Sequence, residues 1–215
     1  AQGRTARKGA LSNLDEVGWC RDNSEDTTHP VGQKQANGYG LFDLSGNVLW
    51  QVGKPDPDVK GSGSDIPAQI HDIDGDGRLE VLCVMGGKFR ILEGETGKEK
   101  AAFALPHPDA HDCIVVCDLS GAGHPKDVIL KDRYKRMWAK DSDWNDLWQY
   151  QGNPGHYPWP HDFNGDGRDE IMAGYELLNH NGEKLWSCQP LDDHADCMIV
   201  GKIMPDVPGD QIVIG

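Results

Sequence analysis

Four segments of this chain repeat one another. They are "DIDGDGRLEVLCV" from Asp72, "DLSGAGHPKDVIL" from Asp118, "DFNGDGRDEIMAG" from Asp162 and "KIMPDVPGDQIVI" from Lys202, with starts 46, 44 and 40 residues apart. An apolar run precedes and follows each loop. After it come a short strand and a hairpin ending in a bulky residue, with the pairs Leu49-Trp50, Leu147-Trp148 and Leu185-Trp186 recurring. Four short strands in a period of about 40–45 residues is the pattern of a propeller blade. One four-stranded sheet cannot bury both its faces, so such units must stack about an axis. An ordinary sandwich does not predict a loop recurring at near-constant spacing. The expected fold class is therefore mainly β: a partial β-propeller of three to four four-stranded blades over residues 66–215. Residues 53–65 read as a linker, and residues 1–52 as an irregular, turn-rich segment.

The loops carry chemistry. Asp72, Asp74 and Asp76 stand at alternate positions of a tight turn, Gly77 turns it, and Glu80 follows at the ninth position. Asp162, Asn164, Asp166, Gly167 and Glu170 repeat the layout. Alternate oxygens converge on one point, and with the backbone carbonyls of Arg78 and Arg168 they form the crowded oxygen set that calcium requires. An EF-hand needs its bidentate Glu at the twelfth position; here that position is Cys83 or Ala173, and the flanks are strand-like. Carboxylates crowded in this way repel one another unless a cation joins them. The other two loops are degenerate: Ala122 supplies no side-chain oxygen, and Lys202 replaces the first Asp. Two occupied calcium loops are expected, with a structural role in tying adjacent strands together.

The formal net charge is −14 and the pI about 4.9. That field repels phosphate backbones and anionic headgroups, so no nucleic-acid partner and no membrane insertion are expected. No apolar run approaches the roughly 18 residues that span a bilayer. The chain opens without Met and stops within the apolar "QIVIG". It reads as a piece of a longer protein whose remaining blades lie outside this chain. Of six cysteines, Cys113 and Cys117 lie in "DCIVVCD", a β-branched strand, and read as buried free thiols.

The "DxDGDGxxE" loops resemble those of calcium propellers of the FG-GAP/VCBS type. "HDCIVVCDLSG" and "HADCMIVGKIMPDVPGDQIVI" more narrowly resemble the propeller of rhamnogalacturonan lyases, over residues 65–215. In that family a His and an Asp precede the inner strand and a "PDxPG"-like loop follows it. The resemblance implies calcium-assisted β-elimination on an acidic pectic polysaccharide. His111, His156 and His194 precede their loops by six to eight residues. At the mouths of inner strands they would ring one end of a channel, where an imidazole serves as general base beside a uronate. Alternatively, each bonds a neighbouring blade's backbone. Arg133, Lys135, Arg136, Trp138 and Trp144 form a basic-aromatic stretch suited to an anionic sugar or, equally, a solvated hairpin.

"LDEVGWCRDNSEDTTHPVGQKQANGYGLFDLSGNV" (14–48) resembles a core stretch of the formylglycine-generating enzyme (sulfatase-modifying factor) family. That resemblance implies a copper-bearing cysteine pair, but Cys20 is the only thiol in this stretch. The family's "GNVWEW" is "GNVLWQV" here, which keeps Asn47 and loses the acid. Three functions follow as expectations. The first is a calcium-stabilised, carbohydrate-facing propeller without catalysis. The second is a lyase of acidic polysaccharide, and the third a sulfatase-modifying factor lacking its catalytic part. Calcium loops of this kind favour a secreted or periplasmic setting.

Overall fold

The computed structural model describes Trp50, Val52, residues 67–188 and residues 194–215. The chain divides into two compact units, Ala1–Pro55 and Asp56–Gly215. Among the described residues, every strand belongs to the second unit. The formylglycine-generating-enzyme-like stretch and the linker at 53–65 lie outside the described residues.

Strand is the only repeating structure among the described residues, and it is built from the β-branched and aliphatic runs that flank each loop. β1 (Ala68–His71), β2 (Glu80–Met85), β3 (Lys88–Glu93) and β4 (Glu99–Ala104) form an antiparallel sheet in chain order. β5 (Cys113–Cys117), β6 (Asp127–Lys131), β7 (Arg136–Lys140) and β8 (Asp146–Gln151) form a second. β9 (Trp159–His161), β10 (Glu170–Ala173), β11 (Glu176–Leu178) and β12 (Lys184–Ser187) form a third, and β13 (Met198–Gly201) pairs with β14 (Gln211–Ile214). The leading strands of successive sheets are neighbours: β1 lies against β5, β5 against β9, and β9 against β13.

Burial follows the two-residue period of a strand. Val128 and Leu130 of β6 pack with Leu82, Phe89, Ile114 and Trp138 between the first and second sheets. Ile129 faces the other way and joins Cys113, Val115, Ile171, Ala173 and Leu178 between the second and third. A sheet covered on both faces needs no polar side, so all five residues of β6 are buried. Cys113 and Cys117 share the face toward the third sheet as free buried thiols. Burial pushes the Cys113 thiol up to about 11, and Cys117 rises well above the ordinary range.

Each four-stranded sheet carries a bulge between its third and fourth strands. Leu92 pairs with Glu99 and Ile91 with Ala101, which leaves Lys100 unpaired. By the same count Leu147 is left over in the second sheet and Leu185 in the third.

Candidate functional site: a histidine cluster beside a mixed-charge cleft, and two acidic loops

His156 sits in the β8–β9 connection, and His194 and Asp196 lie just before β13. Their side chains converge. His156 Nε2 and His194 Nε2 lie 3.3 and 3.2 Å from the same oxygen, Asp196 Oδ1. The two rings are 4.9 Å apart, centroid to centroid. Tyr134, from the β6–β7 turn, places its hydroxyl 3.0 Å from His156 Nε2 and its ring 4.6 Å from that of His194. One carboxylate oxygen facing two imidazole nitrogens is favourable in two ways. Either both nitrogens carry hydrogen and donate to it, or all three atoms turn toward a shared cation. The three ligand atoms lie within 4.8 Å of one another, and a mixed imidazole–carboxylate set suits a divalent metal.

His111 is not part of this cluster. It lines an adjoining cleft of about 350 Å³ with Asp109, Asp112, Arg133, Tyr134 and Lys135, and Tyr134 is common to both. The cleft floor is anchored by Lys131, which is buried. Its ammonium is paired with Asp112 and donates to the carbonyls of Asp132 and Arg133, at 3.1 and 3.0 Å. The basic-aromatic stretch read from the sequence is divided by the fold. Arg136 is engaged by Asp132 (Nε–Oδ2 2.7 Å) and lies 5.1 Å over the Trp138 ring. Trp144 turns away to stack on Phe89 and Phe103. Arg133, Lys135 and Arg136 all line the cleft together with Asp109, Asp112 and Asp132, and Arg133 Nε lies 3.8 Å from Asp112 Oδ1. Asp196 is the acid of the His–Asp entry in "HADCMIV", whereas Tyr134 escapes a reading by residue type and spacing, since nothing local marks it.

The two acidic loops lie between β1 and β2 and between β9 and β10, with strands on both sides as expected. Asp72 is turned inward and accepts the amides of Asp76 and Gly77 at 3.0 and 2.9 Å. Asp162 accepts those of Gly165, Asp166 and Gly167 at 2.7, 3.1 and 2.9 Å. The Gly167 amide foremost, with the other two, holds its carboxyl below the usual range. The acid opening the second strand closes each loop. Glu80 Oε2 accepts the Ile73 amide at 3.1 Å and Glu170 Oε2 the Phe163 amide at 3.0 Å. Gln211, opening β14, does the same for Ile203 and Met204 with a neutral amide. This closure therefore requires no ion. Asp76 Oδ1 accepts the Arg78 amide, so the sequence-read ligands do not all point to one spot.

The loops differ in what faces the carboxylates. In the first, Lys100 Nζ lies 2.6 Å from Asp74 Oδ2 and 3.0 Å from Glu80 Oε1. This contact with Lys100 holds the Asp74 carboxyl below its usual range. In the second, Asn164 donates to Glu170 Oε1 at 2.9 Å, and among the described residues no lysine or arginine pairs with Asp162, Asp166 or Glu170. Burial raises the Glu170 carboxyl, with the charges of Asp166 and Asp162 adding to it. His180 brings a ring nitrogen within 4.8 Å of the Asp166 and Glu170 oxygens, and its Nδ1 is buried without a hydrogen-bond partner. The second loop therefore fits a cation; the first already holds one of its own.

Residues 129–214 match the family model "Rhamnogalacturonan lyase family 11, C-terminal domain". This span contains Tyr134, His156, His194, Asp196 and the second loop. The chain is similar to rhamnogalacturonan lyases along more of its length as well. It is 22% identical over 253 residues to rhamnogalacturonan exolyase YesX of Bacillus subtilis (strain 168), covering 90% of this chain and 40% of that protein. The chain thus spans about two-fifths of that relative. Among solved structures, the Bacillus licheniformis rhamnogalacturonan lyase PL11 superposes with a TM-score of 0.56 at 21% identity, over 69% of this chain and 35% of that one. The V. cholerae biofilm matrix protein Bap1 superposes with a TM-score of 0.55 at 20% identity, over 69% of this chain and 23% of its own. One architecture thus serves proteins of different description, and function has to be argued from the site.

Proposed function

We propose that this chain is part of a β-propeller that engages an acidic polysaccharide of the rhamnogalacturonan class at the cleft beside the histidine cluster. The observation that carries this is the juxtaposition of Arg133 and Lys135 with Tyr134, His156 and His194, within the span that resembles the lyase domain. Guanidinium and ammonium groups pair with uronate carboxylates, and the tyrosine and histidine rings offer flat faces to sugar. The cleft sets Arg133, Lys135 and Arg136 against Asp109, Asp112 and Asp132, and on a chain of net charge −14 this is where an anionic glycan meets clustered cationic side chains. The leading strands lie side by side around the propeller axis, and a divalent cation in the second loop, held by Asp166, Glu170 and His180, fastens that loop to the β11–β12 turn. Titration with rhamnogalacturonan and with a neutral polysaccharide tests this. Binding of the acidic polymer alone, weakened at least tenfold by Arg133→Ala with Lys135→Ala, is expected; equal or absent binding of both polymers overturns it. The cation reading predicts a lower melting temperature on chelation, and an unchanged one removes it.

The hydrogen bond between Tyr134 and His156 favours a second reading, catalysis by β-elimination. One group of the pair takes the proton next to the uronate carboxylate, the bond to the glycosidic oxygen breaks as a carbon–carbon double bond forms, and the other group gives a proton to the departing oxygen. Incubation with rhamnogalacturonan reads this directly as unsaturated-uronate absorbance, and a flat trace excludes it for this chain.

A further inference from the structure

The two acidic loops are near-copies in sequence, yet the fold brings a lysine to the first and not to the second. The cause is the residue that occupies a bulge shared by the three sheets. A bulge leaves one residue unpaired and re-aims its side chain, and the residues at that position are Lys100, Leu147 and Leu185. Only the first carries a charge. Its stem spans β3 and sets Nζ on Asp74 and Glu80, one oxygen from each. Asp72, Asp74 and Glu80 are the three acids of this loop whose oxygens lie close enough to share an ion, and two of the three are taken by the ammonium. Leu185 is exposed and offers no such group to the second loop. The fourth loop supplies an independent parallel. Lys202, at the position of the first Asp, turns its ammonium into its own loop, onto the Val207 and Gly209 carbonyls.

We propose that Lys100 is a covalently built-in cation that takes the place of a metal ion in the first loop, so that the twin motifs at Asp72 and Asp162 differ in function and only the second responds to calcium. An ammonium at 2.6 and 3.0 Å from two carboxylates neutralises the repulsion that a dication would otherwise relieve. A dication entering there must displace it and leave a lysine charge beside itself. The calcium response of the second loop rests on the cation proposed to fasten it to the β11–β12 turn, whereas the ion independence of the first does not.

Calorimetric titration with calcium chloride, on the whole chain and on Asp74→Asn, Lys100→Met and Glu170→Ala, separates the two. Asp74→Asn should bind as many ions as the parent and melt lower by the same interval in calcium and in chelator. Lys100→Met should bind one ion more, and Glu170→Ala one fewer. Loss of an ion in Asp74→Asn, or an unchanged count in a folded Lys100→Met, overturns the proposal. Should Lys100→Met fail to fold, Asp74→Asn decides alone. A Glu170→Ala variant that binds like the parent defeats the second-loop reading and leaves the role of Lys100 standing.

Discussion

The backbone amide of His156 donates to the carbonyl oxygen of Ala195 at 2.9 Å. This bond ties the connection before β9 to the segment before β13, and it flanks the side chains that meet at Asp196. The approach depends on Gly155, which has φ 68° and whose missing Cβ would lie 2.8 Å from the Ala195 oxygen and 3.3 Å from its Cβ. Gly155→Ala therefore meets two penalties, a left-handed backbone and a clash with main chain. A loss of about 2 kcal/mol or more is expected by urea denaturation. The His156 and His194 ring resonances should shift together, and a variant as stable as the parent with unshifted resonances contradicts this account.

Lys131 is the one fully buried ammonium among the described residues, and it is held by Asp112 and two carbonyls. Removing one partner of such a pair leaves an uncompensated charge, which costs more than the pair contributes. Lys131→Met is expected to lose roughly 3–5 kcal/mol. Adding Asp112→Asn removes the stranded carboxylate and should recover part of that loss, measurable in a double-mutant cycle by chemical denaturation. Additive losses mean that the two groups are not coupled.

Asp132 fixes the acid limb of stability near the cleft. Burial by itself would raise its carboxyl, but Arg136 and the amides of Lys135 and Arg136 outweigh it and hold the group below the ordinary carboxylate range. The folded state thus binds the proton less readily than the unfolded chain, whose Asp titrates near about 3.9. The stability from this contact is fully present above that pH and is lost as pH falls through the lower folded value. Thermal melts of parent and Asp132→Asn should diverge above about pH 4 and converge as the pH falls through the lower folded value. A gap that stays constant across that whole acid range counts against it.

The repeat, the strands on either side of each loop and the burial of Cys113 and Cys117 were legible in the sequence because they depend on short-range rules. Alternation along a strand, glycine where φ turns positive and β-branched runs all act within a few residues. The stacking of leading strands was also foreseeable, since a sheet whose two faces are both apolar has to be covered twice. The convergence of His156 and His194 was legible only as a shared position before a loop. Asp196 was legible only as the acid of the His–Asp entry to the inner strand, and Tyr134 was not legible at all, because the two arrive from different connections.

Which side chain faces each acidic loop was decided by tertiary structure. Read along the chain, Asp72–Glu80 and Asp162–Glu170 carry the same ligand pattern, and composition and spacing therefore assign them the same ion. What separates them is Lys100, which lies 26 residues from Asp74 and two strands away across the sheet. It reaches the loop because a bulge shifts the register of β4 by one residue. Side-chain periodicity is a local property of the chain, whereas the side chain that faces a given loop is set by strand pairing, which only the folded sheet specifies.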